Sequence, residues 1–123
     1  MPMRWRPTLL RERKMYKAGD IYLTKFHPSY GDELKKFRPC VVLFDQIDSR
    51  FVTIVPLTSQ AKIHYPTAEF ILKPTSTNNL EKSSLLLCWY LQSFDKKRLQ
   101  KKLGELDKSD LLKLRSSLKQ LLI

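Results

Sequence analysis

Hydrophobic positions fall into two regimes along this chain of 123 residues. As far as Phe94 they come in short blocks separated by turn residues. Beyond Asp95 they recur at intervals of three or four. Ile21 to Phe26 reads as a first strand, with Tyr22 and Thr24 on one face and Ile21 and Leu23 on the other, the two-residue alternation of a pleated backbone. Pro39 to Phe44 and Phe51 to Val55 are nearly unbroken apolar runs, which predict strands buried on both faces and joined by the polar turn Asp45 to Arg50. Pro56 is expected to end the third strand. Ala68 to Leu72 is a fourth strand, and Leu85 to Phe94 is long enough for one bent strand or two. The loop His27 to Phe37, with Pro28 and Gly31 as breakers, is long for a hairpin connection, and long connections in small domains often carry function.

After Phe94 the pattern predicts two helices. Asp95 caps a short one reaching about Leu103 and stopped by Gly104, with five basic residues among the seven from Lys96 to Lys102. Asp107 caps a second, with Asp110 in its first turn and an apolar stripe of Leu111, Leu114, Leu118 and Leu121 that packs on the body or on a partner. Short strands at regular spacing followed by helices predict a mainly β fold, a small and partly open barrel with C-terminal helices appended.

Composition narrows the functional classes. The size fits one domain. Lys and Arg number 23 against 12 Asp and Glu, a formal charge of +11 that draws polyanions to the surface and makes nucleic acid the leading partner. The longest apolar run, Leu85 to Leu91, has seven residues where a spanning helix needs roughly 20, so no membrane helix is expected. The first 17 residues are basic and lack the apolar block of a secretion signal, which predicts a cytoplasmic protein. Cys40 and Cys88 sit in apolar runs and read as reduced, buried thiols; with His27 and His64 far from ligand spacing they give no metal signature and call for no cofactor.

Four pieces in order carry a resemblance: Gly19-Asp20-Ile21 opening a strand; Gly31-Asp32-Glu33 in the long loop; Arg38-Pro39 opening the next strand; and Pro56-Leu57-Thr58-Ser59 after the third. Asn79-Leu80-Glu81-Lys82-Ser83-Ser84 and Lys97-Arg98-Leu99 with Lys102-Leu103-Gly104 extend it to the C-terminus. Together they resemble the MazF/PemK family of toxin endoribonucleases. The resemblance implies an SH3-like barrel over residues 17–123, preceded by a basic extension over residues 1–16 in which Trp5 stands among arginines. It further implies a homodimer, single-stranded RNA as substrate, and a cognate acidic antitoxin.

Arg38 suits such chemistry. Its guanidinium is a planar fork of donors matching two phosphate oxygens, and Pro39 restricts it to extended geometry. The hydroxyls of Thr58 and Ser59 can donate to the same phosphate, although a turn-stabilising Ser/Thr pair is the rival reading. The resemblance assigns Arg38 and Thr58 as the catalytic pair, with Glu33 accepting the 2′-hydroxyl proton or orienting Arg38. The base and acid of the reaction stay open. Lys35, Lys36, Tyr30 and His27 are expected to bind RNA, by phosphate pairing and by stacking of splayed bases. Many family members carry an acid where His27 or Lys25 stands, a departure that bears on substrate preference. Metal-independent cleavage would leave a 2′,3′-cyclic phosphate and a 5′-hydroxyl. Two alternatives are a CcdB-like toxin that binds gyrase and cuts nothing, and a silent relative that only binds nucleic acid.

Overall fold

The computed structural model describes residues 16–25, 37–45, 50–59 and 62–122. Its strands are β1 (Asp20–Lys25), β2 (Phe37–Asp45), β3 (Phe51–Thr58), β4 (Glu69–Leu72), β5 (Ser84–Leu87), β6 (Gln92–Asp95) and β7 (Leu99–Glu105), followed by the helix α1 (Lys108–Leu122). They form one antiparallel sheet in the order β4-β5-β3-β2-β1-β7, with β6 paired to β3 beside that path. The sheet curls without closing, which is the partly open, mainly β architecture expected. Among the described residues it carries one α-helix rather than two.

The central strands are apolar on both faces because both faces are covered. Ile21, Val41 and Val55 point into a core with Leu57, Leu72, Leu86 and Cys88. The alternate positions Tyr22, Cys40, Val42 and Ile54 point the other way, into a second core closed by Tyr16, Phe94 and Leu99. The helix covers the first core through Leu114, which is 1% exposed, flanked by Leu111 and Leu118. Leu111 N–H donates to Asp107 O at 2.9 Å, the first bond after the expected cap. Leu121 leaves the stripe at 41% exposed, so the amphipathic face buries Leu114 fully and Leu111 and Leu118 in part, and stops there.

Two expectations are corrected. Asp95 does cap, its side chain accepting from Lys97 N–H, but it caps a three-residue 3-10 turn, Lys96–Arg98, and the chain from Leu99 to Glu105 is a strand. Lys, Arg, Gln and Leu favour helix locally; pairing with β1 over Asp20↔Glu105 to Thr24↔Leu99 overrides that preference. Gly104 is therefore no helix stop. A Cβ there would lie 2.5 Å from Asn78 O and 2.7 Å from Thr77 O, so glycine is required by the approach of the 75–79 turn, whose Thr77 O accepts Glu105 N–H at 3.0 Å. Pro56, in turn, lies inside β3. On one side it is opposite Cys40, and on the other β3 pairs with β6 as far as Ile54 and with β5 from Leu57. Proline falls in the interval where no strand asks for its missing N–H.

The Leu85 to Phe94 segment is two strands, β5 and β6, separated by a turn with Tyr90 N–H donating to Leu87 O at 3.1 Å. Gly19-Asp20 is also structural. Gly19 has φ +94, and Asp20 is buried with one carboxylate oxygen accepting Lys17 N–H at 3.0 Å and the other 3.4 Å from Lys102 Nζ. These bonds fix the turn that starts β1 and tie it to β7.

Candidate functional site

The β2–β3 register pairs Cys40 with Pro56. Continued two residues to the strand ends, it brings Arg38 opposite Thr58, and the β1–β2 register sets Thr24 on Arg38's other side. Two residues 20 positions apart in sequence thus meet at one end of the sheet. There a cleft of about 440 Å³ opens, lined by Arg38, Thr58 and Ser59 together with Phe37, Asn79 and Lys82 among others. Leu23, Leu57 and Leu103 give it an apolar floor. Arg38 is part-buried with its Nε inside the protein, and Ser59 is exposed at the rim. A half-sunk guanidinium in an apolar cleft acts on an anion through a lower effective dielectric than a surface arginine does.

The opposite wall comes from the Asn78-Asn79 turn. Asn78 is fully buried: its Oδ1 accepts Thr75 N–H at 2.9 Å and Leu80 N–H at 3.0 Å, and its Nδ2 donates to Lys73 O at 2.9 Å. Asn79 takes φ +55, a left-handed conformation that asparagine tolerates better than most residues, and its Nδ2 donates to Leu103 O at 3.0 Å. Residues 79–82 are thereby held against β7, and Lys82 supplies a second cation to the cleft. Residue type alone gives this motif no role. Its signal in the sequence is a lysine three residues beyond an Asn-Asn pair.

Glu33, Lys35, Lys36, Tyr30 and His27 lie outside the described residues, as do Phe26 and the basic residues of the 1–15 segment. The segment that carries the first five joins Lys25 to Phe37, which are paired across β1 and β2, and Phe37 lines the cleft. Cys40, two residues from Arg38, is fully buried. Burial pushes its thiol up to about 12, a rise that the Thr24 hydrogen bond and the Arg38 charge oppose without cancelling. Burial likewise pushes Cys88 up to about 11, so neither thiol is a nucleophile near neutral pH. No three His, Cys, Asp or Glu side chains converge among the described residues. None of their helices is long and apolar enough to cross a membrane.

The fold and the cleft define a class: a small open-sheet β protein with an arginine and two hydroxyl residues on the lining of one cleft. Residues 17–122 match the PemK-like, MazF-like toxins of type II toxin-antitoxin systems, and the chain belongs to that family. Endoribonuclease MazF of Staphylococcus epidermidis is 31% identical over 110 residues, 85% of this chain and 88% of that protein. The solved structure of MazF (Form-I) from Deinococcus radiodurans is 28% identical, covering 89% of this chain and 98% of that one with a TM-score of 0.68. The MazE-MazF (Form-I) structure from the same organism superimposes with a TM-score of 0.65 at 24% identity over 89% of this chain and 98% of the other.

Proposed function

We propose that this chain cuts single-stranded RNA without a metal ion at a phosphate held between Arg38 and Thr58, as the toxin of a toxin-antitoxin pair. The activity class, endoribonuclease, rests on family membership and on relatives such as Endoribonuclease MazF of Staphylococcus epidermidis. The chemistry rests on one observation, the meeting of Arg38, Thr58 and Ser59 on a common cleft. The RNA's own 2′-oxygen attacks phosphorus, the bond from phosphorus to the 5′-oxygen breaks, and the products carry a 2′,3′-cyclic phosphate and a 5′-hydroxyl. The Arg38 fork and the Thr58 and Ser59 hydroxyls stabilise the charge that builds on the non-bridging oxygens. Glu33 is assigned to accept the 2′-hydroxyl proton or to orient Arg38. Tyr30, His27, Lys35 and Lys36 are assigned to the RNA flanking the cut.

An acidic antitoxin segment that fills this cleft would block it, and a similar solved structure is a MazE-MazF complex. The formal charge of +11 suits such a partner, and a homodimer working in the cytoplasm completes the reading. The test is incubation of purified protein with a long transcript in EDTA, with the fragment ends analysed. Discrete fragments with cyclic phosphate and 5′-hydroxyl ends are expected, and Arg38→Ala should cut about 100-fold more slowly or worse. Fragments with 5′-phosphates, or an Arg38→Ala protein as active as the wild type, would overturn the assignment. Intact RNA with inhibition of gyrase would favour the binding toxin instead.

A further inference from the structure

Away from the cleft residues, one buried carboxylate organises a set of exposed rings. Glu69, 3% exposed, accepts the Trp89 indole N–H at 2.7 Å through Oε2, and the backbone N–H groups of His64 and Tyr65 at 2.8 and 3.2 Å through Oε1. It thereby pins two segments distant in sequence. Tyr65 meets Trp89 edge to face at 6.0 Å, and Tyr90 stacks on Trp89 at 5.3 Å with planes 17° apart. Despite this anchoring Tyr65 remains 58% and Trp89 46% exposed, and their sequence neighbours Ile63 and Leu91 are partly exposed. Rings held rigid and left in water are poor core but good contact surface, because no rotamer freedom is lost when something lands on them.

We infer that the Trp89–Tyr65 surface is a base-stacking subsite for the single-stranded RNA that enters the Arg38–Thr58 cleft; this rests on the endoribonuclease reading above. Three features select nucleic acid over a protein occupant. The exposed faces are aromatic, and a ring face serves any base. Neither residues 62–68 nor residues 88–92 contain an acidic residue, while Lys62 and His64 stand at the edge, in a chain of formal charge +11. The chain also ties the patch closely to the cleft. Strand β5 starts at Ser84 in the cleft and ends at Leu87, and Trp89 lies in the turn that follows, so five residues of chain hold it within about 18 Å of Ser84, a span of a few nucleotides. Tyr65, on the patch, is only six positions beyond Ser59, which lines the cleft. RNA anchored by its phosphate at Arg38 would have its neighbouring bases delivered to the rings.

The experiment uses full-length protein with Trp5→Phe, which leaves Trp89 as the only tryptophan. Titration with a short single-stranded oligonucleotide in which every sugar is 2′-deoxy, and which therefore cannot be cut by 2′-attack, should quench Trp89 fluorescence. Trp89→Ala should weaken its binding about 10- to 100-fold and Trp89→Phe far less, with melting temperatures checked for both. On a long RNA, Trp89→Ala should still cut but with a changed or relaxed fragment pattern, whereas Arg38→Ala should bind and not cut. An unquenched Trp89 at saturating oligonucleotide, or a Trp89→Ala protein with unchanged affinity and pattern, overturns the subsite while leaving the cleft assignment standing. A Trp89→Ala protein whose only change is a lower mass in sedimentation shows that the patch joins two copies of the chain, and that also overturns it. Wild-type protein that cuts no RNA at all brings down the endoribonuclease reading itself.

Discussion

Gly104→Ala adds one carbon where the structure has no room for it. The new Cβ would stand 2.5 Å from Asn78 O, 2.7 Å from Asn78 C and 2.7 Å from Thr77 O, all backbone atoms that cannot swing aside as a side chain would. Gly104 does not have a positive φ, so the penalty is steric and not conformational. Relieving the contact requires the 75–79 turn to separate from β7 by several tenths of an ångström or more. That strains the Glu105 N–H bond to Thr77 O at 3.0 Å and the Asn79 Nδ2 bond to Leu103 O at 3.0 Å. Overpacking of this kind costs about 1–3 kcal/mol, and the strained hydrogen bonds push the loss to the upper part of that range. At about 4 °C per kcal/mol for a domain of this size, the melting temperature should fall by roughly 8–12 °C. Because Asn79 and Leu103 both line the cleft, RNA cleavage measured well below the melting transition should fall too. Differential scanning fluorimetry together with gel analysis of a cut transcript checks both effects. A Gly104→Ala protein melting within a degree of the wild type and cutting at the same rate would refute the reasoning, because the turn would then not be held against β7.

Thr58→Val, nearly isosteric, should keep its melting temperature and lose most cleavage; retained activity would reduce Thr58 to a strand-end residue. Leu114→Ala should cost about 2–5 kcal/mol in chemical denaturation and Leu112→Ala very little, since the first is buried in the core and the second is 63% exposed. The two cysteines should resist a thiol reagent at pH 8 until the protein is unfolded, burial holding them at about 12 and about 11; rapid labelling of native protein would contradict their placement. Glu69 gives a pH dependence. Burial alone would raise its pKa, but the bonds from Trp89, His64 and Tyr65 outweigh it and hold the carboxyl below its ordinary 4.5. A depressed carboxylate stabilises the fold above its unfolded pKa, so wild type should melt higher than Glu69→Gln at neutral pH. The gap should narrow as the pH falls below about 4.5, and a gap constant from pH 7 to pH 3 would count against the arrangement.

Continuous apolar runs were legible as strands because β1 to β3 bury both faces, and a strand hidden on both sides has no polar alternation to blur it. The C-terminal helix was legible for the opposite reason, a stripe of leucines with one dry side. Strand β7 was not, since Lys101, Lys102 and Gln100 are good helix formers whose strand state comes only from partners on β1, some 80 positions earlier. The site was half legible. Arg38 and Thr58 could be singled out by residue type and motif, but their meeting depends on a register that no local pattern encodes. The Asn79 to Lys82 wall belongs to the same category, as its place in the cleft comes from a turn docked on β7.

Strand β1 takes its second neighbour, β7, from the far end of the chain. During synthesis the amino-terminal strands emerge first, and Arg38 and Thr58 leave the ribosome while Leu103, Gly104 and the helix that seals the core are still to come. A nascent chain therefore displays its arginine and hydroxyls before the cleft that aims them exists. The topology postpones completion of the cleft until β7 and Leu103 are free to fold, so the arginine and the hydroxyls wait, already made, for a wall supplied some 45 residues after Thr58.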